Sequence, residues 1–366
     1  MLILEFDILD NERYIYSHSS KDLINMLYEF PKQLKKAEKL FSRHDIKLNK
    51  DYYNILILGA GNPANSAFRL IKSAKENKLK VPVSFCSSDN IPAWVSKKTL
   101  VIAISHSGNT YEVLQSVDEV LKKDINVIAI TTGGKLKEKY SQNDNVQFAM
   151  YSENLLPRIA VGYAYVLLIE ILSKAELIEV SGIKKNDMSD SRWDDVENTL
   201  FEYTRQLMPE IKINNNPAKR IAINLYNNIP VIYGCNKITE LISYKFKTEL
   251  CATSKIFSHF NTIPDINHDE IEAWEMDHES RLKFIILFIT DKDASTKILK
   301  RIEILKGIFL EKDIKFEEII FDDKNDIVKA FKGIFLASWV SLYLAVLNNV
   351  DPVSINLVDL IKKRLG

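Results

Sequence analysis

The sequence predicts an α/β protein built from two parallel-sheet domains with flanking helices. The chain has 366 residues, and at about 150 residues per domain this length corresponds to between two and three domains. Short apolar runs rich in β-branched residues alternate with helical stretches, a pattern typical of parallel βαβ units. The alternation occurs twice, and each half opens with a strand that ends in glycine, Gly59 or Gly234. We therefore expect two domains of related architecture.

Short apolar runs carry the strand pattern in both halves. They are Ile55–Leu58, Val81–Phe85, Leu100–Ile104 and Val127–Thr131 in the first half, and Pro230–Gly234, Phe284–Ile289 and Phe316–Phe321 in the second. Ahead of the first strand, residues 20–50 place apolar side chains at helical spacing among many lysines. This spacing predicts amphipathic helices.

Two longer apolar runs, Ile159–Leu172 and Ile334–Leu347, close the two halves. Each is shorter than the roughly 18 residues that a membrane-spanning helix needs, so we expect buried core helices. Between the halves the strand pattern stops over a polar stretch from Lys184 to Ser191, as is typical of a linker. The predicted organisation is a helical N-terminal extension over 1–50, a first domain over 51–175, a linker over 176–204 and a second domain over 205–366.

Charge and cysteine content exclude several classes of protein. Lys plus Arg total 49 and Asp plus Glu total 49, so the net charge is zero and no global field attracts nucleic acid. The widely spaced cysteines, Cys86, Cys235 and Cys251, form no CxxC pair and indicate neither a disulfide framework nor a zinc site. The N-terminus lacks the pattern of a signal peptide. We expect a cytoplasmic protein without nucleic-acid or membrane partners.

The strongest chemical signal is the run Ser105-His106-Ser107-Gly108-Asn109-Thr110, directly after a predicted strand. Apolar residues at helical spacing follow, so Asn109 or Thr110 lies near the N-cap of a helix. An ordinary corner needs one capping side chain, whereas three hydroxyls and a glycine are crowded here. Because N–H groups at a helix N-terminus attract anions, the run predicts a phosphate site. His106 either contacts the ligand or points away.

Polar residues after other predicted strands extend this site. Gly61 allows a ligand to approach the backbone closely, but the third glycine of a dinucleotide fingerprint is absent, which disfavours a nicotinamide site. Thr132 begins a second loop, Thr132-Gly133-Gly134-Lys135, which lacks the full Walker spacing. Arg158 lies alone among apolar residues, so it requires a phosphate or carboxylate partner unless it reaches the surface at a helix start.

Together these motifs resemble the sugar isomerase (SIS) family of bifunctional phosphoglucose/phosphomannose isomerases. The resemblance extends from about residue 50 to the end of the chain. The matching segments are Ser105–Thr110, Thr132–Leu136, Pro157-Arg158, Lys245–Leu250, Pro264–Ile271, Asp351-Pro352 and Lys362. The resemblance implies two SIS-type domains with flavodoxin-like parallel sheets and flanking helices.

The resemblance also implies an aldose-ketose isomerisation of a six-carbon sugar phosphate through an enediol, without a metal or organic cofactor. Ser105, Ser107 and Thr110 would hold the phosphate, with Gly61 and Thr132 also in the substrate site. Arg158 would stabilise the enediolate, while His268 and Lys362 would help to open the sugar ring. Two chains would form the active unit, so a homodimer is expected.

Two positions depart from the family pattern. Counting back from His268 at the family's spacing places Ala252 where the family has its catalytic glutamate, and alanine cannot accept a proton. Glu249 lies three residues earlier, about 5–6 Å away on the same face of a helix, and is the candidate base. Pro63 replaces a phosphate-binding serine. The open alternative is a non-catalytic protein that binds sugar phosphates, and Glu270 or Glu272 would be the next candidate bases.

Overall fold

The computed structural model describes residues 6–73, 77–151, 154–180 and 191–365. Most of the polar stretch predicted as a linker, residues 181–190, lies outside these ranges. Contacts divide the chain into two compact units, one formed by Glu29–Thr199 and the other by the residues up to Tyr28 together with those from Leu200 onwards. Each unit is described separately below.

The strands are β1 (Asn54–Gly59), β2 (Asn77–Leu79), β3 (Val83–Cys86), β4 (Thr99–Ser105), β5 (Val127–Thr131), β6 (Val146–Met150), β7 (Ile178–Val180), β8 (Ile229–Gly234), β9 (His259–Thr262), β10 (Phe284–Asp291) and β11 (Lys315–Phe321). The α-helices are α1 (Glu12–His18), α2 (Lys21–Glu29), α3 (Lys32–Phe41), α4 (Asn62–Ser73), α5 (Tyr111–Lys122), α6 (Gly134–Tyr140), α7 (Val161–Lys174), α8 (Asp194–Arg205), α9 (Pro217–Leu225), α10 (Lys237–Ala252), α11 (His278–Arg281), α12 (Thr296–Glu311), α13 (Asp326–Leu347) and α14 (Asn356–Leu365). Short 3₁₀ helices cover Asp7–Asp10, Pro157–Ile159, Ile213–Asn215, Asp265–His268 and Glu270–Glu275.

The unit of residues 29–199 contains a five-stranded parallel sheet in the order β3-β1-β4-β5-β6. Its central strands, β4 and β5, are buried along their whole length, which explains why they are almost continuously apolar. The four strands predicted for this half are confirmed. The edge strand β6 was not predicted, because Gln147 interrupts its apolar pattern.

The other unit contains a four-stranded parallel sheet in the order β11-β10-β8-β9. The three strands predicted for this half are confirmed, while the short edge strand β9 was missed. Helix α10 follows β8 after a capping box in which Asn236 and Thr239 satisfy each other's backbone N–H groups. The α/β fold class with two parallel sheets and flanking helices is therefore confirmed.

The two long apolar runs form helices α7 and α13, and nearly all their residues are buried. Among the described residues one helix, α13, is long and apolar enough to cross a membrane, yet 94% of its apolar window is buried within the protein. Such burial is typical of a core helix, as the sequence predicted. The structure extends this second run at its N-terminal end to Asp326.

The predicted domain limits differ from the division by contacts, which falls after Tyr28 and before Leu200. The first residues join the later half of the chain because Asp10 anchors them: its carboxylate accepts from Ile213 N at 2.8 Å, and its carbonyl accepts from Lys212 Nζ at 3.0 Å. Helix α3 instead lies in the unit of β1–β6. The N-terminal helices predicted over 1–50 are thus shared between the two units.

Candidate functional site

The strand order of the first sheet reverses between β1 and β4. The chain adds β3 on one side of β1 and then adds β4, β5 and β6 on the other side. In open α/β sheets, ligands bind at the carboxyl ends of the strands beside such a switch point. Gly61 lies there, between β1 and α4, with a φ of 78°. Ser105 is the last residue of β4, the strand next to β1. The predicted substrate site therefore coincides with the crevice that the topology provides.

The serine loop (Ser105–Thr110) joins β4 to α5. The hydroxyls of Ser105 and Thr110 are 2.8 Å apart, and Ser107 is exposed. Thr110, one of the two residues predicted to lie near the N-cap, is the N-cap of α5, but its side chain makes no capping hydrogen bond. The positive end of the helix dipole and the first-turn N–H groups therefore have no capping side chain, which favours an anion at this position.

A second loop, Thr132–Lys135, packs directly on the serine loop. Thr132 donates to the carbonyl of His106 from its backbone N (3.0 Å) and from its hydroxyl (2.7 Å). Lys135 N donates to Asn109 Oδ1 at 2.9 Å. A Cβ on Gly108 would lie 1.8 Å from the Gly133 carbonyl oxygen, so these backbones can approach only because the position is glycine. The two predicted loops are therefore joined to each other by hydrogen bonds and close backbone packing.

The ring of His106 is partly buried and bonds to the protein through both of its nitrogens. Its Nε2 is 3.0 Å from the carbonyl oxygen of Leu155, and its Nδ1 is 2.9 Å from the hydroxyl of Tyr151. Because a carbonyl only accepts, Nε2 carries the proton, and Nδ1 accepts from Tyr151 in the neutral imidazole. Burial lowers the pKa of His106. Of the two alternatives for this residue, the structure supports the one that points away from the ligand.

Arg158 lies in the 3₁₀ turn Pro157–Ile159, just before α7. The residue is 7% exposed, so the alternative of a surface arginine is wrong. Gln33 Nε2 donates to the carbonyl of Ile159 at 3.0 Å and fixes the far side of this turn. A buried guanidinium in the same unit as the serine loop is suited to bind an anionic group.

Glu249 and Ala252 lie at the end of α10 in the other unit. The carboxylate of Glu249 is 2% exposed, lies 2.5 Å from the ammonium of Lys245, and accepts from the Thr253 hydroxyl at 3.1 Å. Ala252, the last residue of α10, is partly exposed. The candidate base is therefore held in a buried ion pair, and its role stays a prediction.

His268 and Lys362 are both exposed: His268 in a 3₁₀ turn, and Lys362 on α14, where Asp359 is 4.0 Å away. In the described part of the chain, no hydrogen bond or ion pair links either side chain to Glu249. The carboxylate of Glu270 accepts two hydrogen bonds: one oxygen accepts from the Tyr233 hydroxyl at 2.7 Å, and the other accepts from Asn261 Nδ2 at 2.6 Å. The structure thus places Ser105, Ser107, Thr110 and Thr132 in two loops that pack on each other, and the roles of Glu249, His268 and Lys362 stay predictions.

Comparison with known protein families supports this picture. The family profile described as the bacterial phospho-glucose isomerase C-terminal SIS domain matches residues 214–365, and the SIS domain profile matches residues 89–146. A bifunctional phosphoglucose/phosphomannose isomerase from Caldicellulosiruptor bescii is 30% identical over 94% of this chain and 99% of its own length. The chain belongs to the bifunctional phosphoglucose/phosphomannose isomerase family.

Other proteins agree with this family assignment. The family member from Thermoplasma acidophilum is 29% identical over 86% of this chain and 90% of its own length. Among solved structures, a hypothetical protein from Thermus thermophilus is similar with a TM-score of 0.69 at 13% identity, covering 99% of this chain and 94% of that chain. The structural likeness shows the fold, and the sequence likeness shows the family.

Sequence reasoning missed several residues that build the isomerase-family site. Tyr151 bonds the ring of His106 and Gln33 holds the turn of Arg158, yet nothing in their local sequence distinguishes them from ordinary loop or helix residues. Asn109, which the sequence marks only as a possible N-cap, bonds the second loop. In the described residues, no cluster of three or more His, Cys, Asp or Glu side chains is arranged to hold a metal ion.

Proposed function

We propose that the protein is a phosphosugar aldose-ketose isomerase that interconverts glucose 6-phosphate or mannose 6-phosphate with fructose 6-phosphate. The observation that carries the proposal is the likeness to the Caldicellulosiruptor bescii isomerase over nearly the whole of both chains. The serine loop supports it, because hydroxyls beside an uncapped helix N-terminus are suited to a sugar phosphate. No cofactor is needed for such a proton transfer.

In this proposal the phosphate binds Ser105, Ser107 and Thr110, close to Gly61 and Thr132. Arg158 stabilises the negative charge that develops on the enediolate oxygen, since a buried cation acts strongly on a charge in a region from which water is excluded. His268 and Lys362 move the protons that open the sugar ring. We further propose a cytoplasmic homodimer that has no nucleic-acid or membrane partner.

The residue that removes the proton from C2 is Glu249 in this proposal. It lies one helical turn before Ala252, and its ion pair with Lys245 would have to loosen for the carboxylate to reach a substrate. Glu270 is the next candidate, because two donors already orient its carboxylate in a partly exposed position. Either residue would replace the glutamate that the family pattern places at position 252.

Solvent exchange tests the reaction directly. Purified protein incubated with fructose 6-phosphate in deuterated water should place deuterium on the carbon next to the carbonyl and form an aldose phosphate. Thermal-shift titration with the same sugar phosphate measures binding independently. Binding without exchange or turnover would identify a non-catalytic sugar-phosphate-binding protein, and the absence of both would exclude the whole proposal.

Glu249→Gln separates the candidate bases. It keeps the shape and a hydrogen bond to Thr253 but cannot accept the C2 proton, so exchange should be lost while sugar-phosphate binding remains. Glu240→Gln, near the other end of α10, is the matched control and should leave exchange unchanged. If Glu249→Gln keeps full exchange, the base is elsewhere, and Glu270→Gln is the next variant to assay.

A further inference from the structure

His106 connects three loops at the carboxyl edge of the first sheet. Its backbone carbonyl accepts both bonds from Thr132, as described above, and its ring bonds Tyr151 and the carbonyl of Leu155. The ring therefore spans the space between the serine loop and the segment that leads into Arg158. A planar side chain with one donor and one acceptor fits both partners at once.

The support behind His106 is rigid. Tyr151 is 2% exposed, and its ring is stacked on Tyr163 of α7 with centroids 4.8 Å apart and planes at 5°. Tyr163 is fully buried in the core of this unit. A hydroxyl held in this way cannot follow a moving partner, so it fixes the imidazole.

The turn that carries Arg158 is anchored on both sides. His106 Nε2 holds the carbonyl of Leu155 on one side, and Gln33 Nε2 holds the carbonyl of Ile159 on the other. Gln33 is itself 3% exposed and packs where a Cβ on Gly162 would approach it to 2.8 Å. Of these two anchors, the one at Leu155 comes from the serine loop itself.

We propose that His106 is a positioning residue of the isomerase: its ring fixes the turn of Arg158 at a set distance from the serine loop. The inference rests on the proposed function, since it assigns to Arg158 the charge that develops in the reaction. A sugar phosphate held at its phosphate end presents its reacting carbons at a fixed distance. The serine loop and Arg158 must therefore keep a fixed separation, and His106 is the side chain that joins them.

A positioning role of His106 should change kcat rather than KM or phosphate binding. Displacing the Arg158 turn should weaken an interaction made mainly in the transition state, so kcat should fall while KM changes little. The serine loop keeps its own bonds to Thr132 through the backbone, which a side-chain substitution leaves in place. Binding of inorganic phosphate should therefore be unchanged as well.

The test compares His106→Phe, which keeps a planar ring but removes both ring bonds, with His106→Gln, which keeps a donor and an acceptor. His106→Phe should lower kcat for fructose 6-phosphate by about tenfold or more. Its KM should stay within about threefold of the unsubstituted protein. His106→Gln should restore most of kcat. Tyr140→Phe, at another buried and hydrogen-bonded tyrosine of this unit, is the control and should change neither constant.

Amide hydrogen exchange measures the positioning without any turnover. In His106→Phe the amides of residues 154–160 should exchange about tenfold faster, while those of α5 should not change. If the unsubstituted protein does not isomerise sugar phosphates, the proposed function fails, and exchange over 154–160 alone decides whether His106 holds the turn.

The inference is overturned by unchanged kcat in His106→Phe, by a rise in KM alone, by unchanged exchange over 154–160, or by a His106→Gln variant as slow as His106→Phe. If His106→Phe does not fold, Tyr151→Phe replaces it, because this variant removes only the bond at Nδ1. A lower kcat at constant KM in Tyr151→Phe then supports the inference, and an unchanged kcat rejects it.

Discussion

Each of the two parallel sheets has a crevice at the point where its strand order reverses, but different kinds of side chain line the two crevices. Between β1 and β4 the chain places glycines and hydroxyls around a helix N-terminus without a capping side chain. Between β8 and β10 it places an ion pair, in which Lys329 Nζ lies 2.6 Å from Asp291 Oδ1 and both side chains are fully buried. The first crevice is suited to an external anion, and the second already contains an anion of its own.

The carboxylate of Asp291 satisfies the donors of the second crevice. It accepts from Asn236 Nδ2 at 2.6 Å and from the backbone N of Asp293 at 3.0 Å. Burial opposes the charge on Lys329, yet its bonds to Asp291 outweigh that effect and raise the pKa of Lys329. Likewise, burial opposes the charge on Asp291, but Lys329 and the other donors lower its pKa. The two sheets have similar crevices, and their side chains decide which crevice is suited to bind an anion.

The largest effect should come from breaking the ion pair of the second crevice. Lys329→Met leaves the Asp291 carboxylate buried without a cation, so the free energy of unfolding should fall by about 3–5 kcal/mol. Urea unfolding at neutral pH measures the change. The double variant Lys329→Met/Asp291→Asn removes both charges and should recover much of the loss.

Lys332→Met is the matched control for this prediction. Lys332 lies on the same helix and pairs with Asp323 at 2.5 Å, but both side chains are partly exposed. Its loss should lower the free energy of unfolding by only about 1 kcal/mol. Equal losses in the two lysine variants would show that the second crevice is not held by its buried charge.

A smaller effect is expected at the first crevice from Gly108→Ala. The residue has a φ of 66°, and an added Cβ would collide with the Gly133 carbonyl, so the variant should lose about 1–3 kcal/mol of unfolding free energy. The loops should separate, and stabilisation by fructose 6-phosphate in a thermal-shift titration should disappear.

Gly307→Ala provides the comparison for this variant, because Gly307 lies within α12 with open space around its Cβ position. It should raise the free energy of unfolding by up to about 1 kcal/mol and leave ligand stabilisation intact. A Gly108→Ala variant that still responds fully to fructose 6-phosphate would show that close contact between the loops is not required for binding.

The smallest effect concerns pH. The pKa of His106 is about 6.5 in the unfolded chain, and burial lowers it in the folded protein. Between these two values the unfolded chain therefore binds more protons at this position than the folded protein does. The contribution of His106 to stability is therefore complete above pH 6.5 and is lost as the pH falls towards its folded pKa. His106→Gln should unfold with a weaker dependence on pH between 7 and 5, and an identical dependence in both proteins would contradict this.

Much of the first crevice was predictable because its signals are local. The hydroxyls, the glycine and the following helical pattern occur within a few residues of one another, and the N-cap is Thr110, one of the two predicted residues. The partners of His106 were not predictable, since Tyr151 is 45 residues away along the chain and Leu155 is 49 residues away. Nothing near His106 in the sequence distinguishes a ring that binds a ligand from one that binds the protein.

The sequence alone determined the α/β class, the strands of both sheets apart from the edge strands β6 and β9, the two apolar core helices and the serine loop, because periodicity and turn chemistry act over short distances. Only the tertiary structure decided which side chains meet at each crevice, how the N-terminal helices are shared between the units, and that Glu249 is paired with Lys245. These features depend on which strands become neighbours and on which charges become buried together. Burial makes an unpaired charge too costly, so packing rather than local sequence selects the partners.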